Sequence, residues 1–207
     1  YKETYEYDLN GNRLKRSETI AEERTRKSYY YKNTEWLITD GRYAFKYDKA
    51  GNTIKKGSHI LIAGLTYPVS SEKAQSYLSG LAEVDYTNVS LDFPEDGEGV
   101  SLTGYTYDWF NRLTDVHRNG IHIARYGYDP DGLRNVKENL TTGEKTHYVY
   151  DGNSVLFEKD ADTGRVRYYV YGMGKQLARV DGSLDAGGQY VEEDRYYNIT
   201  DQVGTSR

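Results

Sequence analysis

The chain has no cysteine. That excludes disulfides, thiolate metal sites and a cysteine nucleophile, while leaving the compartment open. It also lacks any apolar run near the roughly 20 residues that a helix needs to cross a bilayer, so no membrane insertion is expected from this segment. Aliphatic bulk is scarce: Leu, Ile, Val and Phe make up 40 of 207 residues, just below the level at which disorder becomes a serious option. A basic patch is missing too. With 27 Lys and Arg against 32 Asp and Glu, interspersed along the chain, and a net charge of −5, nothing resembles the footprint of a nucleic-acid binder, and nucleic acid is not expected as a partner. There is no initiating Met and no signal-peptide pattern. The chain begins at Tyr1 inside a strand pattern and reads as a piece of something longer.

What the chain has instead is 23 tyrosines. A tyrosine ring buries apolar area while its hydroxyl still reaches water or a backbone group, which suits a thin sheet that is wet on at least one face. Tyrosine also favours strands, and the small net charge keeps self-repulsion weak. Tyr therefore stands in for aliphatic bulk.

The tyrosines are periodic. The unit is Tyr-x-Tyr-Asp-x-x-Gly or Asn, followed by a short stretch containing apolar residues. It occurs as Tyr5, Tyr7, Asp8 and Gly11, then as Tyr47, Asp48 and Gly51. It returns as Tyr105, Tyr107, Asp108 and Asn111, as Tyr126, Tyr128, Asp129 and Gly132, and as Tyr148, Tyr150 and Asp151. Weaker copies sit at Tyr29 and Tyr31, Tyr169 and Tyr171, and Tyr196 and Tyr197. The second tyrosine recurs at 107, 128, 150 and 171, and a period of roughly 21 residues holds two strands and two turns. Each repeat is one hairpin.

Turn chemistry leads to the same reading. In Asp129-Pro130-Asp131-Gly132 the Asp can accept backbone N–H groups further on, Pro presets φ, and Gly closes a type I turn with a bulge. Asn111 is the next best residue where φ is positive. At the opposite strand ends the turn signals are Asn119-Gly120, Thr141-Thr142-Gly143, Asp162-Thr163-Gly164 and Asp181-Gly182. Turns alternating every 10 or 11 residues describe an all-β, antiparallel up-and-down meander over 1–207. Within it, 60–102 lacks the unit and reads as degenerate repeats or an insertion, with degenerate repeats carrying a short inserted helix the favoured form. Ser70 or Ser71 caps that helix, which spans Glu72 to Ser79 with Gly80 as its stop.

Few residues offer chemistry. Asn119-Gly120 sets His117 opposite His122, close enough to share a metal. A third ligand is missing, so a cross-strand pair is the simpler reading. Asp8-x-Asn10-x-Asn12 lacks the glycine and glutamate of an EF-hand. Carboxylates cluster at Glu95, Asp96 and Glu98, at Asp160 and Asp162, and at Glu192, Glu193 and Asp194. All lie in or beside turn signals, where solvated loops explain them. No nucleophile elbow, phosphate-cradling loop or zinc-helix motif is present, and no cofactor or catalytic residue is expected. Trp36, Trp109 and the outward tyrosines are candidate sugar-stacking platforms.

The repeated unit resembles the YD repeats of the RHS (rearrangement hotspot) family, shared with teneurins and the C components of insecticidal toxin complexes. The segment Asp201-Gln202-Val203-Gly204-Thr205-Ser206-Arg207 is similar to the Asp-His-Leu-Gly-Thr-Pro-Arg motif near the end of RHS cores, departing from it at Gln202, Val203 and Ser206. The resemblance implies a hollow β-shell that encloses a C-terminal toxic polypeptide, released by an aspartyl self-cleavage site downstream of the core. It implies a wall segment of a secreted or cell-surface protein, with the rest of its own chain and an enclosed polypeptide as partners. A segment this short forms an arc, which exposes sheet edges to self-association. The alternative is an extracellular adhesion module that binds glycans or a protein.

Overall fold

The computed structural model describes residues 1–20, 23–32, 36–83, 91–95 and 97–198. Asp96 and the closing 201–207 motif, including Asp201, Gly204 and Arg207, lie outside the described residues. The chain divides into two units, 1–122 and 123–207.

In the first unit, β1 (Lys2–Tyr7), β2 (Arg13–Ile20) and β3 (Glu23–Ser28) form a sheet of their own. A meander follows through β4 (Tyr30–Lys32), β5 (Trp36–Thr39), β6 (Ala44–Tyr47) and β7 (Thr53–Gly57). The chain then leaves that sheet for a separate hairpin, β8 (His59–Ile62) and β9 (Leu65–Pro68), and a helix, α1 (Glu72–Glu83). It returns with β10 (Leu102–Tyr107), which pairs directly with β7, and goes on to β11 (Leu113–Arg118); the boundary between the units falls within the next strand, β12 (Ile121–Tyr128). The second unit adds β13 (Arg134–Asn139), β14 (Lys145–Asp151), β15 (Ser154–Asp160), β16 (Arg165–Gly172), β17 (Lys175–Leu184) and β18 (Tyr190–Tyr197). Strands β4 to β7 and β10 to β18 lie in sequence order in one antiparallel sheet of 13 strands that does not close into a barrel.

The turn unit folds as its residues dictate. Asp48 Oδ1 accepts the backbone N–H groups of Ala50 and Asn52, both at 2.9 Å, and Gly51 donates its N–H to the Asp48 carbonyl at 3.2 Å. Asp8 and Asp108 repeat these contacts, with Asn111 at a φ of 59° in the glycine position of the latter. Asp129 accepts the Leu133 N–H at 2.8 Å. Asp151 differs, because its glycine follows at once. A two-residue turn, Gly152-Asn153, results, with Asp151 paired to Ser154.

One expected turn is absent. Asp181-Gly182 lies inside β17, and the chain reverses instead at Asp185, whose carboxylate accepts the N–H groups of Gly187 and Gln189 at 2.9 and 2.8 Å. Gly182 serves close approach: a Cβ there would lie 2.3 Å from the Val191 carbonyl oxygen. The helix also runs past its expected stop. Ser71 caps it, its Oγ accepting the Ala74 N–H at 3.3 Å, but α1 continues through Gly80 to Glu83. A glycine costs a helix interior only about 1 kcal/mol, and Leu81, beyond it, packs against the core.

That core is largely aliphatic and belongs to the first unit. Ala74 and Leu78 of α1 meet Ile38, Ala44, Ile60, Val69, Leu91 and Phe93. Fully burying one such side chain stabilises by about 1.5–3 kcal/mol. In the second unit the buried hydrophobic residues among those described are Val166, Ala178 and Val180, all on β16 and β17.

Candidate functional site

The tyrosine unit carries a feature its sequence does not display. At the step into the second tyrosine, the pairing register slips by one residue in seven hairpins, at Tyr7, Tyr31, Tyr47, Tyr107, Tyr128, Tyr150 and Tyr171. A bulge of this kind bends its strand and increases the local twist. It sits at the same place in each of these seven hairpins.

The second tyrosine also reaches into its neighbour. Tyr47 donates its hydroxyl to the Leu37 carbonyl at 2.9 Å, and Leu37 pairs with Tyr31 of the preceding hairpin. Tyr107 donates to Thr53, which pairs with Tyr47, at 2.9 Å. Tyr150 donates to Arg134, the partner of Tyr128, and Tyr171 to Val155, the partner of Tyr150, at 2.9 and 3.0 Å. After β18 the same carbonyl position, Gln176 opposite Tyr171, is taken by the Asn198 amide at 3.0 Å. Four second tyrosines, and Asn198 after β18, thus fasten a hairpin to the one before it by a side chain acting on the backbone.

Arginines interleave the first tyrosines. The Arg134 guanidinium lies 5.6 Å from the Tyr126 ring and 5.2 Å from Tyr148, and Arg13 stands in the same relation to Tyr5 and Tyr29 at 4.7 and 5.8 Å. Each cation sits between rings of successive repeats, within cation–π range. Sequence reading passed over these arginines, although both stand five residues after the turn Asp.

On the second unit one sheet face forms a polar groove of about 620 Å³ across β13 to β18. At its centre Arg167 pairs with Glu158 and, at 3.3 Å, with Asp181, which also meets Arg179 at 2.9 Å. Tyr169 donates its hydroxyl to Glu158 at 2.9 Å, and burial together with that carboxylate pushes the phenol up to about 12. Asp160, at the rim, accepts the Thr163 hydroxyl and N–H, both at 2.6 Å, which holds its carboxyl below the usual range.

The histidines do meet. His117 and His122 stack with centroids 4.4 Å apart, and His122 Nε2 lies 2.8 Å from Asp115 Oδ1. Among the described residues no three His, Asp or Glu side chains are arranged to hold a metal. The aromatic candidates separate: Trp36 packs against Tyr47 at 5.5 Å and over Gly51, whereas Trp109 is wholly exposed at a turn tip beside Phe110.

No family model matches the chain. It is 33% identical over 144 residues to the tRNA3(Ser)-specific nuclease WapA of Bacillus spizizenii, an alignment covering 64% of this chain and 6% of that protein. To the tRNA nuclease WapA of Bacillus subtilis (strain 168) it is 33% identical over 139 residues, covering 62% of this chain and 5% of that one. The chain therefore spans only a small part of these relatives' length. Among solved structures it is similar to a chain of the TcdB2-TccC3-TEV crystal structure, with a TM-score of 0.51 and 14% identity over 99% of this chain and 10% of that one. A chain of the Photorhabdus luminescens Tc holotoxin pore gives the same values. At that identity the likeness is one of fold.

Proposed function

We propose that this chain is a wall segment of a larger RHS-type protein, secreted or displayed at the cell surface, whose repeats enclose a polypeptide carried in the same chain. The observation that carries this reading is the repeat-to-repeat fastening. A hydroxyl that at Tyr47, Tyr107, Tyr150 and Tyr171 bonds the backbone opposite the previous hairpin's tyrosine makes a sheet that grows by adding hairpins, with no closed core to limit it. The sparse buried core of the second unit fits a wall whose role is to separate two spaces. The fold likeness to Tc assembly chains over 99% of the segment, and the sequence likeness to WapA nucleases, support it. On this reading the catalytic activity in those relatives' names belongs to parts of the protein other than this repeat segment. Limited proteolysis of the full-length protein tests the proposal. The region C-terminal to the repeats should resist protease until the repeats are unfolded. Equal susceptibility of that region in the intact and the unfolded protein overturns it.

A second reading, an adhesion module, draws on the fully exposed Trp109 and its neighbour Phe110, 77% exposed. Exposed aromatics at a turn tip can stack on a sugar or anchor a protein. This reading requires that Trp109→Ala and Phe110→Ala abolish binding of the full-length protein to glycans or cells.

A further inference from the structure

The pairing registers of the first unit set five residues in one row across the sheet. Lys46 lies opposite Lys55, Lys55 opposite Gly104, and Gly104 opposite His117, whose ring stacks on that of His122. Residues paired in this way project from the same face. The row therefore offers four nitrogen-bearing side chains, with a gap where Gly104 has none. That gap is open, since a Cβ at Gly104 would meet nothing nearer than the Ile54 carbonyl oxygen, at 4.0 Å. Its walls are Lys55 and His117, whose Cα atoms stand about 10 Å apart across the two strand pairings. Among the described residues the Lys55 ammonium and the His117 ring nitrogens take part in no ion pair or hydrogen bond. The outer members of the row are engaged, Lys46 with Asp92 at 3.7 Å and His122 with Asp115 at 2.8 Å.

We propose that this notch binds a phosphate group, held between the Lys55 ammonium and a His117 N–H over the Gly104 backbone. Two features point to an anion. Like charges directly opposite one another destabilise a sheet, and Lys46 faces Lys55 with the Asp92 carboxylate paired to Lys46. An anion beside Lys55 relieves that opposition. The notch also has uncommitted donors on both walls and a glycine between them, and a neutral imidazole supplies a donor as a protonated one does. A tetrahedral phosphate turns oxygens toward both walls and keeps another for solvent or a substituent, which the two oxygens of a carboxylate do not allow. Asp92 and Asp115 stand beside the outer members of the row. A polyanion lying along it would meet a carboxylate at either end, so the ligand is limited to a single phosphate. The notch belongs to the first unit alone and does not depend on the shell reading.

The test adds inorganic phosphate to the 207-residue chain and follows the ring-proton NMR signals of its four histidines. At neutral pH the His117 signal should move and saturate, carrying that of the stacked His122 with it, while His59 and His147 stay in place. Sodium chloride at the same ionic strength should produce no such shift. Gly104→Val fills the notch with a strand-favouring side chain at a position without positive φ. It should keep the melting temperature and abolish the saturable shift. Lys55→Met should weaken binding roughly ten-fold through loss of a charge-assisted hydrogen bond. Lys56→Met makes the same charge change on the opposite face, where Lys56 lies over the Tyr43 ring, and should bind like the parent. Glycerol phosphate separates the sources of the ligand. Binding as tight as that of inorganic phosphate assigns the site to a phosphate carried on a larger molecule, and binding of the inorganic ion alone assigns it to the free ion. The proposal is overturned by the absence of a saturable His117 shift in the parent, by an equal shift with chloride, by unchanged binding in Gly104→Val, or by equal weakening in Lys55→Met and Lys56→Met.

Discussion

Tyrosine is used at the second repeat position for its reach as much as for its ring. The phenol carries a donor far enough from its own Cα to bond a carbonyl on the neighbouring hairpin, and phenylalanine has the same ring without the donor. Tyr150→Phe should therefore cost about 1 kcal/mol, the net worth of one hydrogen bond and the carbonyl it leaves behind. Urea unfolding would read this as a lower midpoint with an unchanged slope; an unchanged midpoint would deny the hydroxyl any role in fastening repeats.

Titration adds a second prediction at the same scale. Burial raises Tyr47 and Tyr148, and raises Tyr169 to about 12 together with Glu158. A raised folded-state value means stability fully present below the unfolded value of about 10, and lost as pH rises through the folded one. Tyrosinate absorbance near 295 nm should accordingly rise late and cooperatively with unfolding. In acid the sign reverses. Asp48 is held low by the Asn52 side chain and by turn N–H groups, and Asp160 by Thr163. Their stabilisation is present above an unfolded value of about 3.9 and falls away as pH drops through the lowered ones. Asp48→Asn should flatten the acid limb of a stability–pH curve.

At the scale of elements, α1 and the β8–β9 hairpin contribute to the hydrophobic core cluster found among the described residues. Leu78 is fully buried there, and Leu78→Ala should cost about 2–5 kcal/mol, depending on how far the site collapses. Gly57 on β7 lies under Phe93, and a Cβ would come within 2.2 Å of the ring. Gly57→Ala should cost about 1–3 kcal/mol through overpacking. Thermal melts of the two variants would show both losses; a neutral Gly57→Ala would mean that Phe93 can swing away. The capped start of α1 was legible from Ser71, but its end was not. Gly80 reads as a stop, and only the packing of Leu81 shows why the helix continues. The Asp181-Gly182 pair misleads for a related reason. Glycine marks both turns and close approaches, and telling them apart requires knowing that Val191 lies against it.

For the whole molecule, the sheet order leaves β18 paired on one side only among the described residues. An unpaired strand of eight residues is a template for another. The isolated chain should self-associate with rising concentration, and Val191→Lys with Tyr197→Lys should shift it toward monomer in sedimentation experiments. Monomer at all concentrations in the parent would show that Glu192, Glu193 and Asp194 already protect this edge.

The period, the hairpin unit, the Asp-centred turns and the antiparallel meander are all properties of the sequence by itself. They arise from contacts within about 20 residues, whose geometry is encoded in the residues that make them. The meeting of His117 and His122 was legible for the same reason, since a two-residue turn sets their register. The tertiary structure decided what lies beyond one hairpin. The fastening of Tyr107 to Thr53 joins residues 54 apart in sequence, and its acceptor is a backbone carbonyl, which no residue letter announces. The polar groove gathers side chains from several strands and turns, with Glu158, Arg167, Asp181 and Asp194 set side by side by the pairing of β15 to β18. Carboxylates that read singly as solvated loop residues become one surface only once those registers are set.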